Sequence, residues 1–248
     1  MDEPRLRQQL LMSKGKSYEA IGNVTSRVLF LLAAEGKIVR GKPNGSWLST
    51  QYQWAPMTDW LESGPRLISE QTHWDSDSAK VELARRWLRS FGPVSINDLR
   101  WWTGWTATQT KKTLRELAPV EVELDDGMGL VLADDVERVP EPEPWIALLP
   151  ALDSTPMGWT DRAWFLGPHR EQLYDRSGNI GPTVWCDGRI VGAWAQRTAG
   201  EIVFRLLEDV GSEAVDAITE EAERLENWLG DVRIIPKFRV PLERALMA

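Results

Sequence analysis

The stretch WWTGWTATQTKKTLREL, residues 101–117, places three tryptophans within five residues, directly before a run with helical spacing. Gly104 lies between the second and the third tryptophan. In the run 106–117 that follows, apolar residues recur with the period of a helix. Its predicted inward stripe consists of Ala107, Thr110, Leu114 and Leu117. Its predicted outward residues are Thr108, Gln109, Lys111, Lys112 and Arg115. We expect at least two of Trp101, Trp102 and Trp105 to be buried, because a core beneath this helix needs their bulk.

Two predicted helices precede this stretch and a hairpin follows it. The segment SDSAKVELARRWLRSFG (76–92) is predicted to be helical and to end at Pro93. One face of it carries Val81, Ala84, Trp87, Leu88 and Phe91. SINDLRWWTG (95–104) is predicted to be a short second helix, in which Ser95 and Asp98 form an acidic variant of a capping box. Pro119 stops the third helix, and PVEVELD and GLVLAD then alternate around Asp126-Gly127 as a hairpin. Three helices and a hairpin over 76–134 predict a winged helix, whose third helix enters the DNA major groove.

A partial copy of this order precedes it. The segment NVTSRVLFLLAAEG (23–36) has helical spacing, with Asn23 or Thr25 as its cap. Its apolar positions are Val24, Val28, Leu31 and Leu32. The short run KIVRG, the turn Asn44-Gly45 and the run WLST then predict a second wing. The two helices that should precede this one are absent from the partial copy, or are poorly formed within residues 4–22. The two copies therefore share an order of elements but not a similar sequence.

The pattern changes after the proline-rich and acidic linker 139–145. The short apolar runs that follow are IALLP, WFLG, TVWCDGRIVGAWAQ and EIVFRLL, with a two-residue hairpin turn at Asp187-Gly188. An amphipathic helix is predicted over 212–230, followed by an extended VRIIPKF. The predicted fold is therefore α+β, with tandem winged-helix units followed by a small antiparallel β-barrel-like domain with a C-terminal helix. The predicted domains are a partial winged helix in 1–60, a complete one in 61–138 and the β-barrel-like domain in 139–248.

Composition narrows the class of protein. The chain has 248 residues, of which 42% are hydrophobic and 14 are tryptophan, so real cores are expected. No apolar run is long enough to span a membrane, and the N-terminus does not have the pattern of a secretory signal. A single cysteine and two histidines favour a reducing cytoplasm and argue against a zinc site. The sequence contains no nucleotide-binding or metalloprotease motif, and we predict neither a cofactor nor a metal.

The charge is unevenly distributed. The net charge is −8, which argues against binding to a polyanion. Residues 1–54, however, carry eight Lys or Arg against four Asp or Glu, whereas acidic residues are in excess in 55–142 and in 143–248. Any contact with DNA must therefore come from local basic patches, and binding should depend strongly on salt.

The candidate nucleic-acid contacts lie on the two predicted winged helices. In the second, Lys111, Lys112 and Arg115 suit phosphates and guanine edges, and Gln109 suits adenine, with Thr108 between them. In the first, the candidates are Arg27, Arg40 and Lys42. The alternative for both sets is an ordinary solvated surface. The tryptophans of 101–105 offer a third possibility, because exposed aromatic rings can stack on unpaired bases.

No catalytic constellation is evident in the chain. His169 lies near several acidic residues and is a candidate general base, although such a histidine is more often structural. Asp153 follows an apolar run, where a catalytic carboxylate or a turn-capping residue would sit. Cys186 lies within a predicted strand and is expected to be an inert, buried thiol.

Three stretches carry a family resemblance. The segments FGPVSINDLRWWTG (91–104), LLPALDSTPMGWTDR (148–162) and GPTVWCDGRIVGAWAQR (181–197) resemble the AlkZ/YcaQ-like winged-helix proteins of bacteria, and the actinobacterial branch above all. The resemblance extends from about Lys14 to the C-terminus. It implies tandem winged helices followed by a β-barrel, in a concave arrangement that cups DNA. It also implies relationship to DNA glycosylases that remove alkylated bases and unhook interstrand crosslinks.

The sequence departs from the family at its N-terminus. Family members are longer there, with a first winged helix and a Gln-hydrophobic-Gln or Gln-hydrophobic-Asp motif that positions the attacking water. We transfer that role neither to Gln8-Gln9-Leu10, whose spacing differs, nor to Gln51-Tyr52-Gln53, which lies after a predicted wing. The prediction is a DNA-binding protein of this family that lacks the catalytic motif in this chain and whose partner is duplex DNA, alkylated or plain. The alternatives are an active glycosylase that uses Asp153 or His169, and a winged-helix module for protein contacts.

Overall fold

The protein divides into two compact units, residues 1–73 and 74–248. The computed structural model describes residues 9–12, 20–45, 49, 51–62, 74–125, 127–234, 236 and 239–248. None of the helices in these ranges is long and apolar enough to cross a membrane. The finer division at residues 60 and 138 stays a prediction.

The described residues of unit 1 form two antiparallel strand pairs and two helices. Its elements are β1 (Gln9–Met12), β2 (Ala20–Asn23), α1 (Val24–Ala34), β3 (Ile38–Pro43), β4 (Tyr52–Pro56) and α2 (Met57–Glu62). Strand β1 pairs with β2, and β3 pairs with β4. The predicted helix is confirmed, and the side chain of Asn23 caps it by accepting a hydrogen bond from the backbone of Thr25 at 3.0 Å.

The predicted second strand of this hairpin is corrected by the structure. We expected WLST (47–50) to return directly after Asn44-Gly45, but the strand that pairs with β3 is β4, in which Tyr52 opposes Pro43. Of WLST, only Ser49 lies within the described residues, and it is not in a strand. The Asn44 side chain accepts a hydrogen bond from Gln53 across the strands at 2.9 Å, so Asn44 closes a longer loop and not a two-residue turn.

Unit 2 begins with the predicted order of three helices and a hairpin. The helices are α3 (Ser76–Phe91), α4 (Ile96–Thr103) and α5 (Ala107–Leu117), and the hairpin consists of β5 (Val120–Leu124) and β6 (Gly127–Val131). Asp126, at the predicted turn, lies outside the described residues. The capping box of Ser95 and Asp98 is confirmed, and Gly104 ends α4 in the left-handed conformation. The buried core of this part is Ala84, Trp87, Leu88, Val94, Leu99, Leu117, Leu130 and Leu132.

The expectation that at least two of Trp101, Trp102 and Trp105 are buried is wrong. Trp101 is 45% exposed and Trp102 is 42% exposed, although one ring of Trp102 contacts Trp87, and Trp105 is partly buried against the core. Helix α4 has just eight residues, and its buried positions are taken by Asp98 and Leu99. The bulk of the core comes instead from a tryptophan of α3, Trp87, which is buried.

The inward stripe of α5 also differs from the prediction at two positions, because Thr113 is buried and Ala107 is not. The buried residues of α5 are Thr110, Thr113 and Leu117, and Leu114 packs against the core from a partly buried position. Ala107, the first residue of the helix, is exposed.

The second part of unit 2 is an open antiparallel sheet. Its strands are β7 (Ile146–Leu149), β8 (Thr183–Cys186), β9 (Arg189–Gln196) and β10 (Ile202–Leu206), in the spatial order β10-β9-β8-β7. The hairpin at Asp187-Gly188 is confirmed, with both residues at positive φ. The described residues do not close into a barrel, which corrects the barrel-like expectation.

Helices cover both faces of this sheet, which explains why it stays open. The helices of this part are α6 (Ser154–Met157), α7 (Ala163–Leu166), α8 (Arg170–Leu173), α9 (Ser212–Leu229) and α10 (Pro241–Met247). Side chains of α9 pack with Val184 and Trp194 on one face, while α7, α8 and α10 pack with Trp185 and Ile190 on the other. Strand β9 is buried along almost its whole length, as expected for a strand with two covered faces.

One prediction for this part is corrected. The run WFLG, expected to belong to the sheet, lies in helix α7, whose Phe165 and Leu166 are buried in the core. Residues 232–234 of VRIIPKF are not in a strand, while 235, 237 and 238 lie outside the described residues. The predicted helix over 212–230 is confirmed as α9, whereas α10 was not predicted.

One buried carboxylate joins the two parts of unit 2. Asp98 of α4 is 3% exposed. Its Oδ2 accepts hydrogen bonds from the backbone and the hydroxyl of Ser95, at 3.1 and 2.7 Å. Its Oδ1 accepts hydrogen bonds from the backbone N–H groups of Thr160 and Asp161, at 2.8 and 3.1 Å. The segments 91–104 and 148–162, which are distant in sequence, therefore meet at Asp98.

We predict that Asp98→Ala lowers the free energy of unfolding by about 2–4 kcal/mol, because it leaves several partly buried N–H groups without their acceptor. Asp98→Asn should also destabilise the protein, because its amide group would face N–H donors on one side. Urea denaturation followed by circular dichroism measures both effects. Asp135→Ala, which removes an exposed carboxylate, is the control. An unfolding midpoint of Asp98→Ala equal to that of the control would contradict this role.

Candidate nucleic-acid interface

The outward face of α5 presents a row of polar and basic side chains. Thr108, Lys111, Lys112 and Arg115 are all exposed, as predicted. Together with Ala107 they line a shallow depression of about 400 Å³. Helical geometry places Lys111 and Arg115 one turn apart on the same side of the helix, so their charges act on the same region of space.

A second depression, of about 550 Å³, continues from the same two cations. It is lined by Lys111 and Arg115 of α5 and by Ile96 and Arg100 of α4, and Glu121 of the hairpin contributes the one carboxylate among its lining residues. The sequence analysis missed Arg100. The signal that could have found it is its position one turn after Ile96, on the side of α4 away from the buried Leu99.

Gln109 is less available for base contacts than its exposed position suggests. Its side-chain oxygen accepts hydrogen bonds from the backbone and the hydroxyl of Thr106, at 2.9 and 3.0 Å, which completes a capping box at the start of α5. The amide oxygen is therefore occupied, and the NH₂ group remains as a donor.

Lys112 is held by an acidic residue of the neighbouring helix. Its ammonium group forms an ion pair with the carboxylate of Asp77 in α3. The hydrogen bond and the charge of Asp77 raise the pKa of Lys112, and the same hydrogen bond lowers the pKa of Asp77. Lys111 and Arg115 have no ion-pair partner among the described residues. The two lysines, adjacent in sequence, therefore differ in how freely they can meet an anion.

The three predicted basic residues of unit 1 are exposed. Arg40 and Lys42 are both exposed on β3, on either side of the partly buried Gly41. The guanidinium group of Arg40 lies 4.3 Å from the centre of the Tyr52 ring on β4, which holds it on the hairpin surface. Arg27 lies on the exposed side of α1.

The candidate catalytic residues Asp153 and His169 lie in surroundings that are typical of structural residues. The Asp153 carboxylate caps α6 by accepting a hydrogen bond from the backbone of Thr155 at 2.8 Å, which confirms the capping interpretation. His169 precedes α8, and its Nε2 lies 3.7 Å from a carboxylate oxygen of Glu208 without a hydrogen-bond partner. Within the described ranges, no group of three or more acidic, histidine or cysteine side chains is placed to hold a metal ion.

Cys186 is only half-buried, whereas we expected a buried thiol. Burial and the neighbouring carboxylate of Asp187 raise the pKa of the Cys186 thiol, so the reactive thiolate is disfavoured. The expectation of an inert thiol thus agrees with its surroundings, although the degree of burial does not.

Comparison with known proteins identifies a family and two relatives that this chain resembles. The family model described as DNA glycosylase AlkZ-like matches residues 2–228. The interstrand DNA cross-link repair glycosylase of Streptomyces sahachiroi is 25% identical over 169 residues, which cover 64% of this chain and 45% of that protein. The solved structure of Streptomyces sahachiroi DNA glycosylase AlkZ is similar with a TM-score of 0.65 at 22% identity, covering 81% of this chain and 54% of the other. The chain thus spans about half the length of these relatives.

We predict that Asp77→Asn lowers the pKa of Lys112 towards its ordinary value, because both the hydrogen bond and the opposite charge are lost. The ion pair contributes fully to stability at pH values that lie between the unfolded-state pKa of Asp77 and the unfolded-state pKa of Lys112. Its contribution is lost as the pH falls through the lowered pKa of Asp77 or rises through the raised pKa of Lys112. An NMR titration of the lysine side chains measures the shift. Glu116→Gln should lower the pKa of Lys112 less, and a larger effect of Glu116→Gln would contradict the assignment.

Proposed function

The chain belongs to the AlkZ-like family of DNA glycosylases, and from that membership we propose that it binds duplex DNA as a tandem winged-helix protein. Helix α5 serves as the helix that faces the major groove, and the hairpin β5–β6 serves as its wing. In unit 1, α1 and the hairpin β3–β4 form the second, partial winged helix. The ligand is duplex DNA that carries alkylated or crosslinked bases.

The observation that carries the proposal is the group of exposed cations on and beside α5. Arg100, Lys111 and Arg115 line one depression. Guanidinium and ammonium groups of this kind neutralise phosphates and release counterions, which supplies most of the affinity in non-specific DNA binding. A helix that presents such residues as the third of three helices before a hairpin matches the docking geometry of helix-turn-helix proteins.

The net charge of −8 limits the strength of this binding. Carboxylates elsewhere on the surface repel DNA, but at physiological ionic strength their effect is largely screened beyond about 8 Å. A local basic patch therefore still attracts phosphates at short range. In unit 1, Arg40 and Lys42 provide a second patch with the same chemistry, on the surface of the hairpin β3–β4.

We assign DNA binding, and not base excision, to the described residues. The amide group of Gln53, one of the two glutamines of Gln51-Tyr52-Gln53, donates a hydrogen bond to Asn44 within the hairpin. Asp153 is engaged in its cap. Release of bases from alkylated duplex DNA, measured for the wild type and for His169→Ala, tests this assignment. Release that is abolished by His169→Ala would replace it with the glycosylase alternative.

We predict that Lys111→Ala with Arg115→Ala weakens duplex DNA binding about tenfold or more at low salt. The slope of log affinity against log salt should fall by roughly 2, because two phosphate contacts are lost. Fluorescence anisotropy with plain and alkylated duplexes measures both quantities.

Arg176→Ala with Arg205→Ala is the matched control for this double variant. It removes two exposed cations of the sheet region and changes the net charge equally. An equal loss of affinity in both double variants would show a general effect of charge and would remove α5 from the interface. The absence of any DNA binding by the wild type at low salt, together with a stable dimer, would favour the protein-interaction alternative.

We further predict that Lys111→Ala weakens DNA binding more than Lys112→Ala does. Lys112 must give up its ion pair with Asp77 before it can contact a phosphate, whereas Lys111 has no ion-pair partner within the ranges that the structure describes. Asp77→Asn should accordingly strengthen DNA binding, because it frees Lys112 and removes a repelling carboxylate. The same anisotropy titrations decide this order, and a larger effect of Lys112→Ala would contradict it.

A further inference from the structure

The depression of about 550 Å³ between α4, α5 and the hairpin β5–β6, which we call the basic depression, has an apolar floor. Its apolar lining residues are Ile96, Ala107, Leu114, Ala118, Pro119 and Leu130. Leu130 is buried and Leu114 is half-buried, whereas Ile96 is 47% exposed. The volume is within the range of sites for small molecules. The floor therefore leaves apolar surface open to a ligand of that size.

Three cations line the same depression. They are Arg100 of α4 and Lys111 and Arg115 of α5, and all three are exposed. None of them forms an ion pair within the part of the chain that the structure describes. Glu121 of β5 is the one carboxylate among the lining residues. The depression thus offers positive charge and hydrogen-bond donors directly beside its apolar floor.

The proposed binding of duplex DNA accounts for the cations of the basic depression but not for its floor. Phosphate groups are neutralised by Lys and Arg, and they have no apolar surface that could cover Ile96 and Leu114. Removal of apolar surface from water is favourable, so the floor adds affinity only for a ligand that has an apolar body. A ligand that joins an apolar body to a negative group uses both features.

A second concave surface of unit 2 differs from the basic depression in its charge. It is a cleft of about 530 Å³ between the hairpin β5–β6 and the segment 159–164, and we call it the aromatic cleft because Trp159 and Trp164 line it. Its charged lining residues are Asp98, Asp125 and Asp161, and no Lys, Arg or His is among the described lining residues. These carboxylates repel an anion. Of the two surfaces, the basic depression is therefore the one that suits an anionic ligand.

We propose that the basic depression binds an aromatic carboxylate, a small molecule with a flat apolar body and one carboxylate group. The flat body packs on Ile96 and Leu114 of the floor. The carboxylate accepts hydrogen bonds from the guanidinium groups of Arg100 and Arg115, whose planar donors match the geometry of a carboxylate.

The bound carboxylate regulates DNA binding, because Lys111 and Arg115 belong to both sites. A ligand that occupies these cations excludes a phosphate from them, so the carboxylate and DNA compete. This regulatory part of the inference rests on the proposed function, whereas binding of the carboxylate itself does not.

An NMR titration of the full chain with 2-naphthoate, followed through the backbone amide signals of α4 and α5, tests the binding. 2-Naphthoate should bind roughly tenfold more tightly than acetate, which has only the charge, because the floor adds affinity for the rings. It should also bind roughly tenfold more tightly than 2-naphthalenemethanol, which has only the apolar body, because the guanidinium groups add charge-assisted hydrogen bonds. Arg100→Ala and Ile96→Ser should each weaken 2-naphthoate binding about fivefold, since each removes one of these contributions.

The matched controls are Arg176→Ala and Val139→Ser, which remove an exposed arginine and an exposed valine outside the depression. Both should bind 2-naphthoate as the wild type does. The proposal is overturned by equal affinity for acetate or for 2-naphthalenemethanol, by wild-type binding in Ile96→Ser, or by no detectable binding of 2-naphthoate to the wild type.

Fluorescence anisotropy with duplex DNA tests the competition and separates it from the proposed function. Saturating 2-naphthoate should weaken duplex binding about fivefold more than an equal concentration of acetate, which controls for ionic strength. Equal duplex affinity in both solutions, with 2-naphthoate bound, overturns the regulatory part of the inference. Binding of 2-naphthoate by a chain that does not bind duplex DNA at low salt refutes the proposed function and supports the carboxylate site.

Discussion

The buried carboxylate of Asp98 is the constraint on which the arrangement of unit 2 depends. Helix α4 has eight residues, too few to be stable in water on its own, so tertiary contacts must hold it in place. Asp98 supplies such contacts by capping its own helix through Ser95 and by accepting hydrogen bonds from Thr160 and Asp161. Arg162, next in the chain, lies with its guanidinium group 5.1 Å from the ring of Trp101, which adds a second contact to the same helix.

This fixed position of α4 separates two surfaces with opposite electrostatic character. Ile96 and Arg100 face the basic depression beside α5, whereas Ser95 and Asp98 line the aromatic cleft. Because one short helix contributes to both, a displacement of α4 would alter both surfaces together. The chain is acidic overall, yet Arg100, Lys111 and Arg115 line one of these surfaces, whereas Asp98, Asp125 and Asp161 line the other. Such local grouping matters more for a contacting ligand than the net charge does, since salt screens distant charges.

Features that depend on neighbouring residues were predictable from the sequence. The caps at Asn23 and Ser95, the hairpin turn at Asp187-Gly188 and the helix over 212–230 were all confirmed. The outward direction of Lys111 and Arg115 also followed from helical periodicity alone. Each of these features is decided by hydrogen bonds or side-chain spacing within a few residues, so a single sequence contains the information.

Features that depend on distant residues were decided only by the tertiary structure. Trp101 and Trp102 are exposed because Trp87 of another helix fills the core, and the pairing of Lys112 with Asp77 arises from the packing of α5 against α3. The sheet is open and both of its faces are covered, one by helices that lie between β7 and β8 in sequence together with α10, and the other by α9. The sequence by itself thus determined the helices, the turns and the basic face of α5. Burial, ion pairing and the aromatic cleft required the folded chain, because they join residues that chain order alone does not bring into contact.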